Sequence, residues 1–450
     1  MLQAIGRAIQ LPDLRRRILF TLGILFLFRL IAHIPVPSVN PAAVEQLRTA
    51  LQSNQLAQLL NIFAGGALQN FSVAALGVYP YITAQIIMQL LQPLIPALQE
   101  LNKEGEQGRI KLNRYMMWLT IPLAYLQGYG QTLTIERTVN PTGDPTLSLF
   151  NTSFDIVNNF FPTFVILTTM VAGSMILVWL GEQINEYGIG NGISMIIFGG
   201  IVSGVPGLIV QGFQISRAGG VETFLGILAF LAIALLTIIG IVYVQEGQRR
   251  IPVQYAKRVR GNKVYGGQSS YVPLKVNMAG MIPLIFAQSI IIFPGVVASW
   301  FYNPNGTGLG NQIAGFFYNT FNPTGTSGGV VYIVLLFVLT VAFTYFYTMV
   351  LFQQQDIPDS LQRNGGFIPG IRPGKRTEEY LGKVLNRITL AGALFLGTIA
   401  ILPFVTQSIT GIQIGLGSTA LLIVVGVAVD TMRQLEAQLV MRDYEGFLNR

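Results

Sequence analysis

Few of the side chains that usually do chemistry occur in this sequence. It has no Cys and a single His, His33. That excludes disulfides, thiol nucleophiles, iron–sulfur clusters and Cys zinc sites, and with them HExxH chemistry and any multi-His metal site. Two glycine-rich stretches look superficially like phosphate loops. Gly188-Ile189-Gly190-Asn191-Gly192 lacks a preceding strand and the full spacing. Gly370-Ile371-Arg372-Pro373-Gly374-Lys375-Arg376 ends in Lys-Arg where a P-loop needs Lys-Ser or Lys-Thr. No nucleotide, metal or other cofactor is expected. The apolar runs hold Arg29 and His33 close together and Asp430 near a helix end. Arg29 reads as a snorkelling or helix-paired residue, and His33, beside Pro35, as a boundary residue. Ion-coupled transporters usually place acids or His inside the membrane. A path without charges suits a passive conduit whose energy comes from elsewhere. An intramembrane enzyme lacks a credible His, Cys or paired-Asp site.

The frame around these residues is that of a polytopic membrane protein. The 450 residues are 51% hydrophobic and only 11% charged, with mean hydropathy +0.54 and net charge +8. A soluble domain carries roughly 25% charged residues. Apolar runs fall near 18–34, 71–92, 115–130, 157–180, 190–211, 223–245, 277–300, 329–352, 388–405 and 415–432. They lack sheet-like alternation, so ten transmembrane helices are expected rather than barrel strands. About 24 of the 28 Lys and Arg lie in the segments on the N-terminal side of such a ten-span layout. By the positive-inside rule both termini are cytoplasmic. The Arg15-Arg16-Arg17 start is not read as a cleaved signal, because Arg29 interrupts the apolar run and no small-residue cleavage site follows.

The connections differ in character. Segment 301–328 has no charged residue and is rich in Gly, Asn and Thr. Segments 246–276 and 353–387 are long and basic, which suggests docking of something large and acidic. The segment from Leu56 to Phe71 is apolar, too short to span and broken by Gly65-Gly66. Two readings stand: a helix tucked into the funnel of a pore, or an amphipathic helix on the outer surface. The second run carries Gly77, Pro80, Thr83, Gln85 and Gln89. The seventh begins at Asn277 and carries Gly280, Pro283, Gln288 and Ser289. Such helices either face water and move, or bond to neighbouring helices. Five runs in each of 1–212 and 213–450 would make oppositely oriented halves, with a pathway at their interface. On these grounds a channel and a secondary transporter with inverted repeats are both open.

Several motifs are similar to those of the SecY family. They are Asn61-Ile62-Phe63-Ala64-Gly65-Gly66-Ala67-Leu68, Ala75-Leu76-Gly77-Val78-Tyr79-Pro80-Tyr81-Ile82, Gly181-Glu182-Gln183-Ile184 and Gly188-Ile189-Gly190-Asn191-Gly192-Ile193-Ser194. Glu246-Gly247-Gln248-Arg249-Arg250, Pro273-Leu274-Lys275-Val276-Asn277-Met278-Ala279-Gly280 and Phe367-Ile368-Pro369-Gly370-Ile371-Arg372-Pro373-Gly374 complete the match, which runs from about Leu11 to Leu439. The family supplies the channel subunit of the bacterial protein translocase, and a plastid form exists. The resemblance implies an all-α clamshell of ten helices in two pseudo-symmetric inverted halves. It sits in the bacterial plasma (inner) membrane and passes unfolded preproteins across it. Signal peptides and membrane segments would leave through a lateral gate into the lipid bilayer. SecE and SecG are the implied partner subunits, and the SecA ATPase or the ribosome would dock on the cytoplasmic loops.

Carried onto this chain, the resemblance implies a pore ring of Val78, Ile82, Ile193, Ile197, Ile285 and Ile423, Val78 standing where Ile is expected. It implies a plug over about 61–71, with Asn61, Phe63, Gly65, Gly66, Ala67 and Leu68. Thr83, Gln89, Asn277, Gln288 and Ser289 fall on the gate, and Arg249, Arg250, Lys257, Arg258 and Arg372 on the docking surface. The ring has a physical rationale. Branched aliphatic side chains offer a passing peptide no hydrogen bonds, and an apolar constriction resists ions by dewetting. A gate toward lipid lets an apolar segment gain about 0.8 kcal/mol per CH₂ removed from water.

Overall fold

The computed structural model describes residues 10–53, 61, 64–92, 94–140, 148–150, 154, 158–218, 221–255, 258–260, 263–265, 269–301, 308–321, 328–355, 357–410 and 418–448. Phe63 and Lys257, named above, lie outside these residues. Helices dominate. In chain order they are α1 (Pro12–Ile31), α2 (Pro41–Ser53), α3 (Tyr79–Leu91), α4 (Pro96–Lys103), α5 (Glu106–Val139), α6 (Phe160–Tyr187), α7 (Gly192–Ala218) and α8 (Val221–Glu246). After strands β1 to β4 come α9 (Ile282–Phe301), α10 (Leu309–Phe321), α11 (Gly328–Gln355) and α12 (Ile357–Arg363). A short strand β5 precedes α13 (Lys375–Thr410) and α14 (Ser418–Leu448). Among the described residues α6, α8, α11 and α13 are long and apolar enough to cross a membrane, and α7 and α9 hold shorter apolar stretches.

Proline sets several starts, as its fixed φ favours the first helical turn. Pro12, Pro80 and Pro96 each stand at the N-terminus of a helix. Two apolar clusters hold the bundle together. One draws on α1, α2, α3, α5, α6 and α7, and reaches Ile285 and Phe286 of α9, Tyr347 of α11 and Ile423 and Val427 of α14. The other joins Ile241 of α8, Leu284 and Ile291 of α9, Leu336 of α11, Leu396 of α13 and Leu422 of α14. Because α9 contributes to both clusters, Leu284 to Ala287 are all buried. By contrast α8 exposes Leu228, Leu231, Leu235 and Ile239, the surface expected of a helix facing lipid.

The two basic connections fold together. β1 (Gln248–Tyr255) pairs antiparallel with β4 (Ser269–Lys275), Ile251 opposite Val272, and with β5 (Gly366–Phe367), Gln254 opposite Phe367. β2 (Arg258–Arg260) and β3 (Lys263–Tyr265) form a further hairpin. Ile251, Val253, Leu274, Ile368, Leu381 and Leu385 make a small core beneath this sheet.

Three expectations from the sequence change. The seventh apolar run does not begin as helix at Asn277. Gly280 takes φ +63, Asn277 Nδ2 donates to Gly280 O at 3.1 Å, and α9 starts only at Ile282. The second run is helical only from Tyr79, with turns from Val73 to Val78. The segment around Gly65-Gly66, expected as one short helix, is helical at Asn61 but not from Ala64 onward. Both glycines have positive φ, and one 3₁₀ turn, Ala67–Asn70, follows.

Candidate functional site

Four helices, α3, α7, α9 and α14, bring the six aliphatic residues together. Gly77, at φ +59, turns the chain into α3, and Ser174 Oγ of α6 donates to Gly77 O at 2.7 Å. Val78 then caps α3, and Ile82 N donates back to Val78 O at 3.1 Å, one turn on. Ile193 and Ile197 stand one turn apart at the start of α7. The turn before them has its amides held by side chains from elsewhere. Thr21 Oγ1 of α1 accepts from Ile189 N, Gln434 Oε1 of α14 from Gly190 N and Asn185 Oδ1 of α6 from Gly192 N, at 3.1, 3.1 and 2.7 Å. Ile285 lies in the first turn of α9 and Ile423 in the second turn of α14. Val78, Ile82, Ile197, Ile285 and Ile423 are all buried in the first cluster, and the half-buried Ile193 packs against it.

The described residues between α2 and α3 pack against the same bundle. Ala64, Ala67, Leu68 and Phe71 are buried and Asn61 is half-buried. A Cβ at Gly65 would lie 2.6 Å from Phe28 Cζ of α1, and one at Gly200 of α7 would run into the Gly65 backbone. Gly65 is therefore required by both conformation and close approach. Arg48 Nη2 donates to Asn70 Oδ1 at 2.8 Å, and Val73 N donates to Ile34 O at 2.9 Å, fastening the far side.

The polar residues of α3 and α9 form a different kind of contact. Tyr79 of α3 lies beside Ser289 of α9 and Thr83. Thr83 Oγ1 donates to Tyr79 O and accepts from Gln127 Nε2 of α5, both at 3.0 Å. Gln89 lies beside Tyr347 of α11. Gln288 and Ser289 are buried. The buried oxygens Gln89 Oε1, Gln127 Oε1 and Asn277 Oδ1 have no hydrogen-bond partner.

On the basic sheet Arg249 and Arg250 are exposed on β1, and the Arg250 guanidinium sits 4.9 Å over the Tyr271 ring. Arg258 lies on β2. Arg372 is exposed in a loop bounded by Gly370 at φ +82 and Gly374 at φ +99, and Arg372 O accepts from Thr377 Oγ1 at 3.0 Å. Sequence reasoning did not find the partners that hold these parts. Thr21, Gln127 and Gln434 are single polar residues in apolar or charged runs, and nothing in their spacing marks them. Glu182, in the Gly181–Ile184 motif, is another such tie. It accepts from Asn113 Nδ2 at 2.8 Å, and Asn113 Oδ1 accepts from Tyr81 of α3 at 3.3 Å.

The bundle is the fold of a protein-conducting membrane channel. It superposes on a solved protein-conducting channel with TM-score 0.63 at 17% identity, covering 95% of this chain and 93% of that one. Sec61 in a canine ribosome–channel complex from the endoplasmic reticulum gives TM-score 0.62 at 17% identity, covering 95% and 93%. A SecY family model matches residues 72–432. The protein translocase subunit SecY of Thermus thermophilus is 44% identical over 100% of this chain and 98% of its own length. That of Thermotoga maritima is 41% identical over 100% and 98%. The chain belongs to the SecY family, and family membership decides for a channel over the transporter that composition had left open.

Proposed function

We propose that the chain is the central protein-conducting channel of a bacterial Sec translocase, carrying unfolded secretory proteins across the plasma membrane and releasing apolar segments into lipid. The observation that carries this reading is the shared apolar cluster of Val78, Ile82, Ile197, Ile285 and Ile423, with Ile193 against it. A ring drawn from several helices can widen around a peptide and close again, because aliphatic contacts have no direction. In this reading ten spans make two halves, 1–212 and 213–450, with both termini cytoplasmic. The segment at about 61–71, which buries Ala64, Gly65, Ala67, Leu68 and Phe71, acts as a plug. The α3–α9 seam, where Tyr79 lies beside Ser289, is the lateral gate, and the unpartnered Gln89 Oε1 of α3 supports that role. Each such group costs roughly 1–3 kcal/mol while dry, and water or a peptide entering the seam would satisfy it.

Arg249 and Arg250 on the sheet, with Arg372 in the loop that follows β5, offer a basic platform for carboxylates of the SecA ATPase or ribosomal phosphates. Sec61 and Ssh1, which share this fold, occur in ribosome-bound complexes. SecE and SecG would complete the complex. The test is to reconstitute the chain with these subunits in vesicles, add SecA and ATP, and measure protease protection of a secretory precursor. Protection that depends on this chain is expected. A complex that assembles and binds SecA yet protects no precursor contradicts the reading.

A further inference from the structure

We propose that α10 is a membrane-interface anchor, whose exposed apolar face sits at the headgroup–acyl boundary and tethers the adjoining end of α9 to lipid. The helix has 13 residues, and its opposite face, with Ala314 and Gly315 buried, packs mainly on α9. Leu309, Ile313, Phe316 and Phe317 follow at spacings of four, three and one, and so share one arc. They are 79, 60, 67 and 41% exposed. The exposed amides Gln312 and Asn319 lie seven apart along the rim of that arc. An apolar arc with a polar rim is the pattern of a helix lying in a bilayer interface.

Depth argues for lipid as the occupant. Phe321, at the end of α10, lies against Gly295, where an added Cβ would meet Phe321 Cβ at 3.3 Å, and it packs into the second apolar cluster. Gly295 is about 9 Å below the end of α9 at 1.5 Å per residue. So α10 lies alongside the last turns of α9 rather than beyond them. Phe317 stacks on Phe321 with ring centroids 6.0 Å apart. At the same level α9 exposes Phe293 and Phe301, and α11 exposes Val330, Val331 and Val334. Both helices that pack on α10 thus expose apolar side chains of their own toward the ends that adjoin it. Segment 301–328 contains no charged residue, so its insertion needs no anionic lipid. None of this depends on α9 acting as a gate.

The absence of Cys makes the test direct. Single Cys variants at Ile313, Phe316 and Asn319 of the full chain are labelled with an environment-sensitive fluorophore and reconstituted in vesicles. At Ile313 and Phe316, nitroxides on shallow acyl carbons should quench at least about twofold more than aqueous iodide. The order should reverse at Asn319, and raising the phosphatidylglycerol fraction should change neither result. Iodide access at Ile313 and Phe316 overturns the proposal, as does protection from both quenchers, which would mean a protein contact. The unmodified chain provides a second reading. Peptide 309–321 should take label from a bilayer-borne diazirine and little from an aqueous one, and the reverse pattern also overturns the proposal.

Discussion

The aliphatic cluster and the α3–α9 seam are built on the same helices with opposite chemistry. Ile82 is followed on α3 by Thr83, and Ile285 stands one turn before Ser289 on α9. The cluster side chains pack on other apolar groups and, the half-buried Ile193 apart, are nearly inaccessible. The seam carries hydroxyls and amides, some with no partner. Non-directional apolar contact re-forms around any shape, whereas a dry polar seam lowers the cost of separation. A channel needs both properties: a seal indifferent to the sequence it closes on, and a boundary that parts without breaking a core.

This contrast can be broken most severely at the seal. Ile82→Gly combined with Ile197→Ser should raise resting ion leak at least tenfold, since about 1.4 kcal/mol of lost barrier corresponds to tenfold. Conductance across planar bilayers checks it, and an unchanged leak would separate the cluster from the seal. The next effect lies on the basic platform. Arg372→Glu should leave the chain inserted and assembled, because the other basic residues still set topology. It should lower SecA-dependent transport at least about tenfold, in keeping with the 2–5 kcal/mol typical of a lost charge contact. Equal transport by mutant and wild type at equal density would remove Arg372 from docking.

Smaller effects sharpen the comparison. Gly65→Ala places a Cβ against Phe28 at a positive φ, a strain of about 1–2 kcal/mol. Ion leak should rise severalfold, less than for the double Ile variant, while the second apolar cluster keeps its thermal stability. The smallest change is expected at the seam. Gln89→Leu removes a buried oxygen that has no partner together with the amide's contact with Tyr347, so the two effects oppose and thermal unfolding should change by less than about 1–3 kcal/mol. Transport of precursors with weak signal sequences should slow. Faster transport would mean that Gln89 holds the seam shut.

The sequence made some of this legible and hid the rest. Apolar runs and charge asymmetry mark the long helices, because lipid imposes a composition that water does not. The ring positions came from family motifs, and burial of all but the half-buried Ile193 is consistent with them. The basic segment 246–276 reads as a long docking loop, yet Ile251 and Val253 alternate with outward residues on β1. Its many charges masked that period-two signal. Segment 301–328 reads as a polar connection because Gly and Asn dominate its ends, and the four-residue spacing of Leu309 and Ile313 is too short a pattern to mark a helix by itself. The ties through Thr21, Gln127, Gln434 and Glu182 were invisible. Each joins helices distant in sequence, so no local pattern records it.

The central claim is that Ile82, Ile197, Ile285 and Ile423 touch the polypeptide in transit. A secretory precursor with one Cys in its mature part can be stalled in the reconstituted channel, with single Cys at each of these positions in turn. Oxidation should join the same precursor Cys to all four positions, and leave Cys at Leu231 or Leu235, on the exposed face of α8, unlinked. Crosslinks equally strong at the α8 positions, or none at the four, would contradict the account.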